Sequence, residues 1–253
     1  MKPHSTDKAS TRYSPRPDSA STPMDRRIAG FSLLAKVAVL PVGSFEQHSD
    51  HLPLTTDTVV TSLIAQRIAT GYDLFLLSPI TLSCSHEHAH MPGTVSISAA
   101  LYAVINDAWR SLQASGVLGL LIVNGHGGNY VLSNVVQEAN TTGPRVALFP
   151  VREDWHRARE AAALESSGAE DRHGGELEVS LLLHRAPHLV RDGVDGDDHD
   201  APERPHLHTL GMTGYTRNGI IGRPSLGTAE KGKAILESLS KSAAAHLSLI
   251  GGS

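Results

Sequence analysis

Four short runs of continuously apolar residues, each leading through a polar or glycine-rich loop into a segment of helical period, set the architecture of this chain. They are Val37 to Val42, Leu74 to Ile80, Val117 to Val123 and Arg145 to Val151. A strand that is apolar at every position must be covered on both faces, which predicts a mainly parallel sheet between two layers of helices. The helical segments fall over about residues 58–70, 98–115, a stretch after Asn129, 154–166, a stretch from His173 through Leu183, and 228–249. Val59, Val60, Leu63, Ile64 and Ile68 recur at the spacing of one helix face. No internal repeat is visible. In open sheets of this kind ligands bind beyond the carboxyl ends of the strands. The polar loops after Val42, Ile80, Val123 and Val151 all sit at such ends.

Composition excludes several classes of function. A net charge of −4 gives no electrostatic footprint for nucleic acid, and no apolar run approaches the length of a membrane span. The single cysteine, Cys84, rules out an internal disulfide and suits a reducing cytoplasm, the expected location. Residues 1–23 are rich in Ser, Thr, Pro and Lys and read as a disordered tail. Arg26-Arg27 before an apolar stretch imitates a twin-arginine export signal. Lys36 interrupts that stretch and cleavage there would delete the first strand, so export is rejected. Fifteen histidines raise the expectation of a metal site without locating it.

Three stretches carry the chemistry. In Gly43-Ser44-Phe45-Glu46-Gln47-His48, Glu46 and His48 are two apart in an extended segment, so both side chains point the same way. Asp57 stands where the next helix needs an N-cap and can fold back toward them. Carboxylate, imidazole and carboxylate suit zinc, manganese or iron(II); the bland alternative is a polar loop with one cap. Asn124-Gly125-His126-Gly127-Gly128-Asn129 places His126 on a strand-to-helix turn whose glycines allow close approach, Gly127, Gly128 and Asn129 being candidate substrate contacts. It lacks the Lys and Ser/Thr of a P-loop, so His126 reads better as a ligand. His173-Gly174-Gly175-Glu176-Leu177-Glu178 sets a histidine beside glutamates, the usual arrangement for proton transfer. With His173 near the N-cap, Glu176 lies on its side of the first turn and Glu178 roughly opposite. Period alone therefore leaves open which glutamate faces the site, Glu176 being kept as a candidate substrate contact, and an acidic first turn is common in any helix. His86-Glu87-His88-Ala89-His90 satisfies the H-E-x-x-H pattern of zinc proteases, but that pattern works only on a helix. Ser83-Cys84-Ser85 before it and Met91-Pro92-Gly93 after it argue against one, which leaves His88 as a pocket-lining residue.

Taken in order, Gly43-Ser44-x-Glu46-Gln47-His48-x-x-His51-Leu52-Pro53-Leu54-x-Thr56-Asp57, Glu87-His88-x-x-Met91-Pro92-Gly93-Thr94, the Asn124–Asn129 run, His173-x-x-x-x-Glu178-x-Ser180 and Gly219-Ile220-Ile221-Gly222-x-Pro224-Ser225-x-x-Thr228-Ala229-Glu230-Lys231-Gly232 resemble the creatininase family of metal-dependent amidohydrolases. The resemblance spans about residues 37–245. It implies a single catalytic domain over 24–253, folded as a three-layer αβα sandwich with a mainly parallel central sheet. It also implies a homo-oligomer, often a hexamer. Two divalent metal ions per subunit (Zn, Mn or Fe(II)) are implied, with Glu46, His48, Asp57 and His126 as ligands and Asp57 bridging. His173 and Glu178 match active-site positions. Creatininase has a metal-binding Glu where this chain has Gly128, so Glu178 is expected to supply the missing ligand. Ser49-Asp50 replaces the usual Gly-Pro, and Met91 the usual aromatic.

The expected reaction is cleavage of a C–N amide bond by a metal-activated water, on a small cyclic amide or formamide. Family members also include a peptidase acting on a modified precursor in mycofactocin maturation, which is the alternative. Two other classes remain open, a non-catalytic metal-binding protein and a phosphate-ester hydrolase. Against the latter, none of the motifs holds an Arg or Lys clamp. The acidic, His-rich stretch 192–208 is expected to be a long surface loop that shapes the pocket.

Overall fold

Burial of both sheet faces is met by four parallel strands in the order β2-β1-β3-β4: β1 (Val37–Val42), β2 (Phe75–Leu76), β3 (Gly119–Asn124) and β4 (Val146–Phe149). The computed structural model describes residues 35–251. The expected tail over 1–23, the Arg26-Arg27 pair and the expected domain start at 24 lie outside the described residues. Seven helices join and follow the strands: α1 (Thr56–Tyr72), α2 (Ala99–Ala114), α3 (Val131–Ala139), α4 (Arg152–Ala161), α5 (Glu176–Arg185), the single-turn α6 (Leu207–Leu210) and α7 (Ala229–Ile250). Alternate residues of β1 enter opposite cores, as the pleat demands. Val37 and Val39 pack with α1, α4, α5 and α7, whereas Ala38, Leu40 and Val42 pack with α2 and α3. Each fully buried Leu or Ile in these layers contributes about 1.5–3 kcal/mol. The three-layer αβα sandwich expected from the apolar runs is therefore the fold. No helix among the described residues is long and apolar enough to cross a membrane.

The chain leaves β1, forms β2 on one side, then returns to place β3 on the other. This reversal makes the crevice between the ends of β1 and β3 the topological switch point, where ligands of such sheets bind. Val42 is paired with Asn124 there, so Glu46 and His126 follow from adjacent strand ends.

Several element boundaries differ from expectation. The second strand was expected over Leu74 to Ile80 but is regular only at Phe75–Leu76. Leu77 and Ile80 still donate to Val39 O and Pro41 O, but Pro41 and Pro79 have no N–H to complete the ladder. Asp57 is not an N-cap. Thr55 is, with the Val59 N–H on its carbonyl at 2.9 Å, and Asp57 lies inside the first turn of α1. Nor is His173 at a cap: Gly175 precedes α5, and Asp171 Oδ2 accepts the Leu177 N–H at 3.1 Å. α4 starts two residues earlier than expected because the Asp154 carboxylate reaches back to the Val151 N–H at 3.0 Å. The stretch 192–208 is held down rather than loose, since Asp197 meets His51 at 2.7 Å and Asp198 takes the Ser225 hydroxyl at 2.6 Å.

Glu176 settles the question the helical period left open, because it turns away from the strand ends. Its carboxylate is fully buried and accepts from the Ser166 N–H at 2.8 Å and the Lys231 ammonium at 2.7 Å. The carboxylate expected among the substrate contacts faces Lys231 and Ser166 instead. Burial alone would raise Glu176, but Lys231 and the N–H groups of Ser166 and Glu165 outweigh it and hold the acid below its usual value. A lowered folded-state pKa gives stability that is present above the unfolded value of about 4.3 and lost as pH falls through the folded one. Lys231→Met should therefore cost about 3 kcal/mol in urea unfolding at pH 7. The gap should narrow below pH 4, where the stranded Glu176 takes up a proton.

Candidate metal centre

Three backbone carbonyls fix the three imidazoles at the centre of the crevice. His48 Nδ1 lies 3.0 Å from Glu46 O, His126 Nε2 lies 2.8 Å from Cys84 O, and His173 Nε2 lies 2.8 Å from Gln47 O. A carbonyl can only accept, so each ring spends its N–H there and turns its other nitrogen inward. Those nitrogens face carboxylates. His126 Nδ1 is 2.9 Å from Asp57 Oδ2 and 3.1 Å from Glu46 Oε1. His48 Nε2 is 3.4 Å from Asp57 Oδ1 and 3.8 Å from Glu178 Oε2. His173 Nδ1 is 3.5 Å from Glu46 Oε1, and His88 Nδ1 is 3.5 Å from Glu46 Oε2. Asp57 thus turns one oxygen to His126 and the other to His48.

All of these side chains except Glu178 are almost wholly buried. Neither oxygen of Glu46 receives a hydrogen bond, and His48 Nε2 and both ring nitrogens of His88 are likewise unpartnered. Buried polar atoms are rarely left so. Lone pairs facing lone pairs need a positive charge between them, either protons or a cation. With no cation between them, the carboxylates favour protons on the facing rings. Against burial, Asp57, Glu178 and Glu46 together raise His48 to about 9. His126 is raised well above its usual value against the same penalty, by Glu46, Asp57 and Glu87. Asp57 resists burial and is held well below the carboxylate range by His48 and His126. Burial, then the Asp57 charge, lifts Glu178 to about 8. Burial, then the charges of His48 and His88, pushes His173 far down, leaving it neutral. A nitrogen and carboxylate donor set of this kind fits zinc, manganese or iron(II). Glu46–His48–Asp57, Glu46–His88–His173 and Glu46–Glu87–His126 each bring their ligand atoms within 4.8 Å of one another.

The remaining sequence candidates divide by position. Gly127 lines the same cavity of about 720 Å³ as Asp57, His126, His173 and Glu178. Asn129, also expected as a substrate contact, is not among the residues lining it. Its amide is used to pin loops together, through Gly43 O at 3.2 Å, Asn124 Oδ1 at 3.0 Å and the Cys84 N–H at 3.1 Å. His86-Glu87-His88 is one 3₁₀ turn, so the zinc-protease pattern has no helix to act on; His86 and His90 are exposed while His88 points inward. Two residues escaped the sequence reading. Glu87 Oε1 sits 3.2 Å from His126 Nε2, and Arg172 lies over Gly127. Glu87 was visible in the discounted pattern and in the Glu87-His88-x-x-Met91-Pro92-Gly93-Thr94 segment, with no role attached in either, and Arg172 only as the neighbour of His173.

Glu87 also explains Gly128. A Cβ there would fall 2.2 Å from Glu87 Oε1, 2.4 Å from His126 Nε2 and 2.7 Å from Cys84 O. No side chain at 128, least of all a ligand glutamate, fits while Glu87 holds this place. Gly128→Ala should tilt His126 off the Cys84 carbonyl and weaken metal binding by roughly 10- to 100-fold, the usual worth of an orienting contact. Chelator competition measures it; unchanged affinity would show that the loop yields freely.

A carboxylate and imidazole cage at the carboxyl edge of a parallel sheet, covered on both faces, defines a metal-site α/β protein of the hydrolase type. The chain belongs to the creatininase family, whose model, described as creatinine amidohydrolase, matches residues 30–247. It is 30% identical over 212 residues to the mycofactocin precursor peptide peptidase of Mycolicibacterium smegmatis, covering 80% of each chain. It is 25% identical over 219 residues to the creatinine amidohydrolase of Pseudomonas putida, covering 79% of this chain and 84% of that one. A crystal structure of creatininase superposes with a TM-score of 0.71 at 24% identity, covering 87% of this chain and 90% of the other. Solved creatininases include a zinc–zinc type and a manganese form.

Proposed function

We propose that this chain is a metal-dependent amidohydrolase with two divalent cations, one held by Glu46, Asp57 and His126 and the other by His48, Asp57 and Glu178. The observation that carries the reading is Glu46, a fully buried carboxylate with no hydrogen-bond donor and with imidazoles from three different loops turned toward it. Cations held there would supply a nucleophilic water at neutral pH and polarise the amide carbonyl. The chain's own residues do the rest. Asp57 spans both halves of the cage, and the Ser44 hydroxyl, 2.8 Å from Asp57 Oδ2, keeps its carboxylate from rotating. His173 is neutral, donates at Nε2 to Gln47 O and keeps Nδ1 open toward the cage. It can take a proton from the attacking water at Nδ1 and hand it to the departing nitrogen as the C–N bond breaks.

The substrate we infer is a small amide, cyclic amide or formamide. A peptide bond is the second reading, favoured by the 30% identity to the mycofactocin precursor peptide peptidase. Protein loaded separately with zinc, manganese or iron(II) should release amine from members of a panel of cyclic amides, formamides and short peptides. Phosphate esters run in parallel should remain intact. Loaded protein that cleaves nothing, or esters alone, would overturn the assignment.

A further inference from the structure

Arg172 presses against the loop of the candidate centre and, among the described residues, has no acid paired with it. Its guanidinium lies so close over Gly127 that a Cβ on that glycine would fall 2.5 Å from Nη2. It forms part of the wall of the 720 Å³ cavity that contains Asp57, His126 and Glu178. It also borders a second cavity of about 290 Å³ shared with Arg204. The carboxylates nearby are already engaged. Asp57 and Glu178 face imidazoles, and Asp171 is paired with Arg159 at 2.9 Å. Among the described residues no acid pairs with either Arg172 or Arg204. Arg204 donates to the Ala201 carbonyl, and both its burial and the Arg172 charge work against its own. Two like charges turned to one pocket are unfavourable until an anion joins them, and a planar guanidinium is the side chain best matched to a carboxylate.

We propose that Arg172, backed by Arg204, anchors a free carboxylate on the substrate, so that the natural substrate is an anionic amide such as an acylamino acid or a peptide cut near its C-terminus. This rests on the amidohydrolase reading of the adjoining centre and narrows it. Gly127 then has a specific purpose, since any side chain there would evict the guanidinium. The arginine also supplies the clamp that the motifs lack, which makes a phosphate ester the competing ligand to be tested.

The test is calorimetric titration of the metal-loaded protein with N-acetylglycine and N-acetylglycylglycine, each against its C-terminal amide, and with inorganic phosphate. One acid should bind about tenfold or more tightly than its amide, the scale of one charge-assisted hydrogen bond. Arg172→Gln should erase that preference while leaving affinity for the neutral amide within about twofold, and Arg204→Gln should weaken it in part. Absence of preference in both pairs, failure of both acids to bind, or a preference that survives Arg172→Gln overturns the proposal. Phosphate held through Arg172 while both acids are ignored overturns it in favour of a phosphate ester. Metal content and amide hydrolysis are followed on the same samples. An acid preference with no amide cleaved sinks the amidohydrolase reading alone, and amide cleavage without preference sinks the anchor alone.

Discussion

Asp57→Ala should strip both cations from the protein and lower amide turnover by on the order of 10³-fold or more, a loss of about 4 kcal/mol in transition-state stabilisation. No other carboxylate in the cluster turns one oxygen to each half, 2.9 Å from His126 Nδ1 and 3.4 Å from His48 Nε2. Removing it leaves each half with one acid and one imidazole, below the three ligands a tightly held ion needs. The Ser44 hydroxyl loses its acceptor as well, so a modest fall in stability should accompany the metal loss. Elemental analysis after gel filtration decides the matter. Two ions retained at full occupancy would show that Asp57 bridges nothing.

His173→Ala should leave both ions in place and reduce turnover by roughly 10²- to 10⁴-fold, the range for a positioned proton carrier. The alternative is concrete, because Glu46, His88 and His173 themselves form a trio close enough to hold a cation. The two roles separate cleanly. A ligand role predicts that metal content falls with turnover, whereas a proton-carrier role predicts loss of rate with metal intact and partial rescue by added imidazole. The ring of His173 stacks on His48 with centroids 3.9 Å apart and lies 4.4 Å from that of His88. Burial first, and then these two neighbouring imidazoles, hold its pKa well below the usual histidine value, so the ring is neutral and ready to accept.

The sheet and its layers could be read directly because a strand buried on both faces has no polar position to spare, as Leu120 to Val123 show. Glu46, His48 and His126 were legible because each sits a fixed few residues past a strand end, where the parallel topology gathers loops. Legibility failed where position depends on a loop's path through space. Asp57 was placed at a cap, yet its value lies in being two residues past the cap at Thr55, turned inward by α1. Glu176 and Glu178 are two positions apart on a helix, about 200° around its axis, so only the direction of α5 could separate them. Glu87 and Arg172 reach the centre across Gly128 and Gly127, and the absence of side chains at those glycines said only that something comes close.

Order within the sheet also divides labour. Three of the donors that cage the charge, Glu46, His48 and His126, hang from β1 and β3, the two strands protected on both edges by neighbours, so they sit on the part of the molecule least free to drift. Arg172 and the wall of the adjoining cavity belong instead to the stretch between β4 and α5, which no strand follows in the sheet. Selection can therefore rewrite what the pocket admits by editing residues 150–172 while the reaction chamber beneath keeps its dimensions, a partition that lets one chemistry serve unlike substrates.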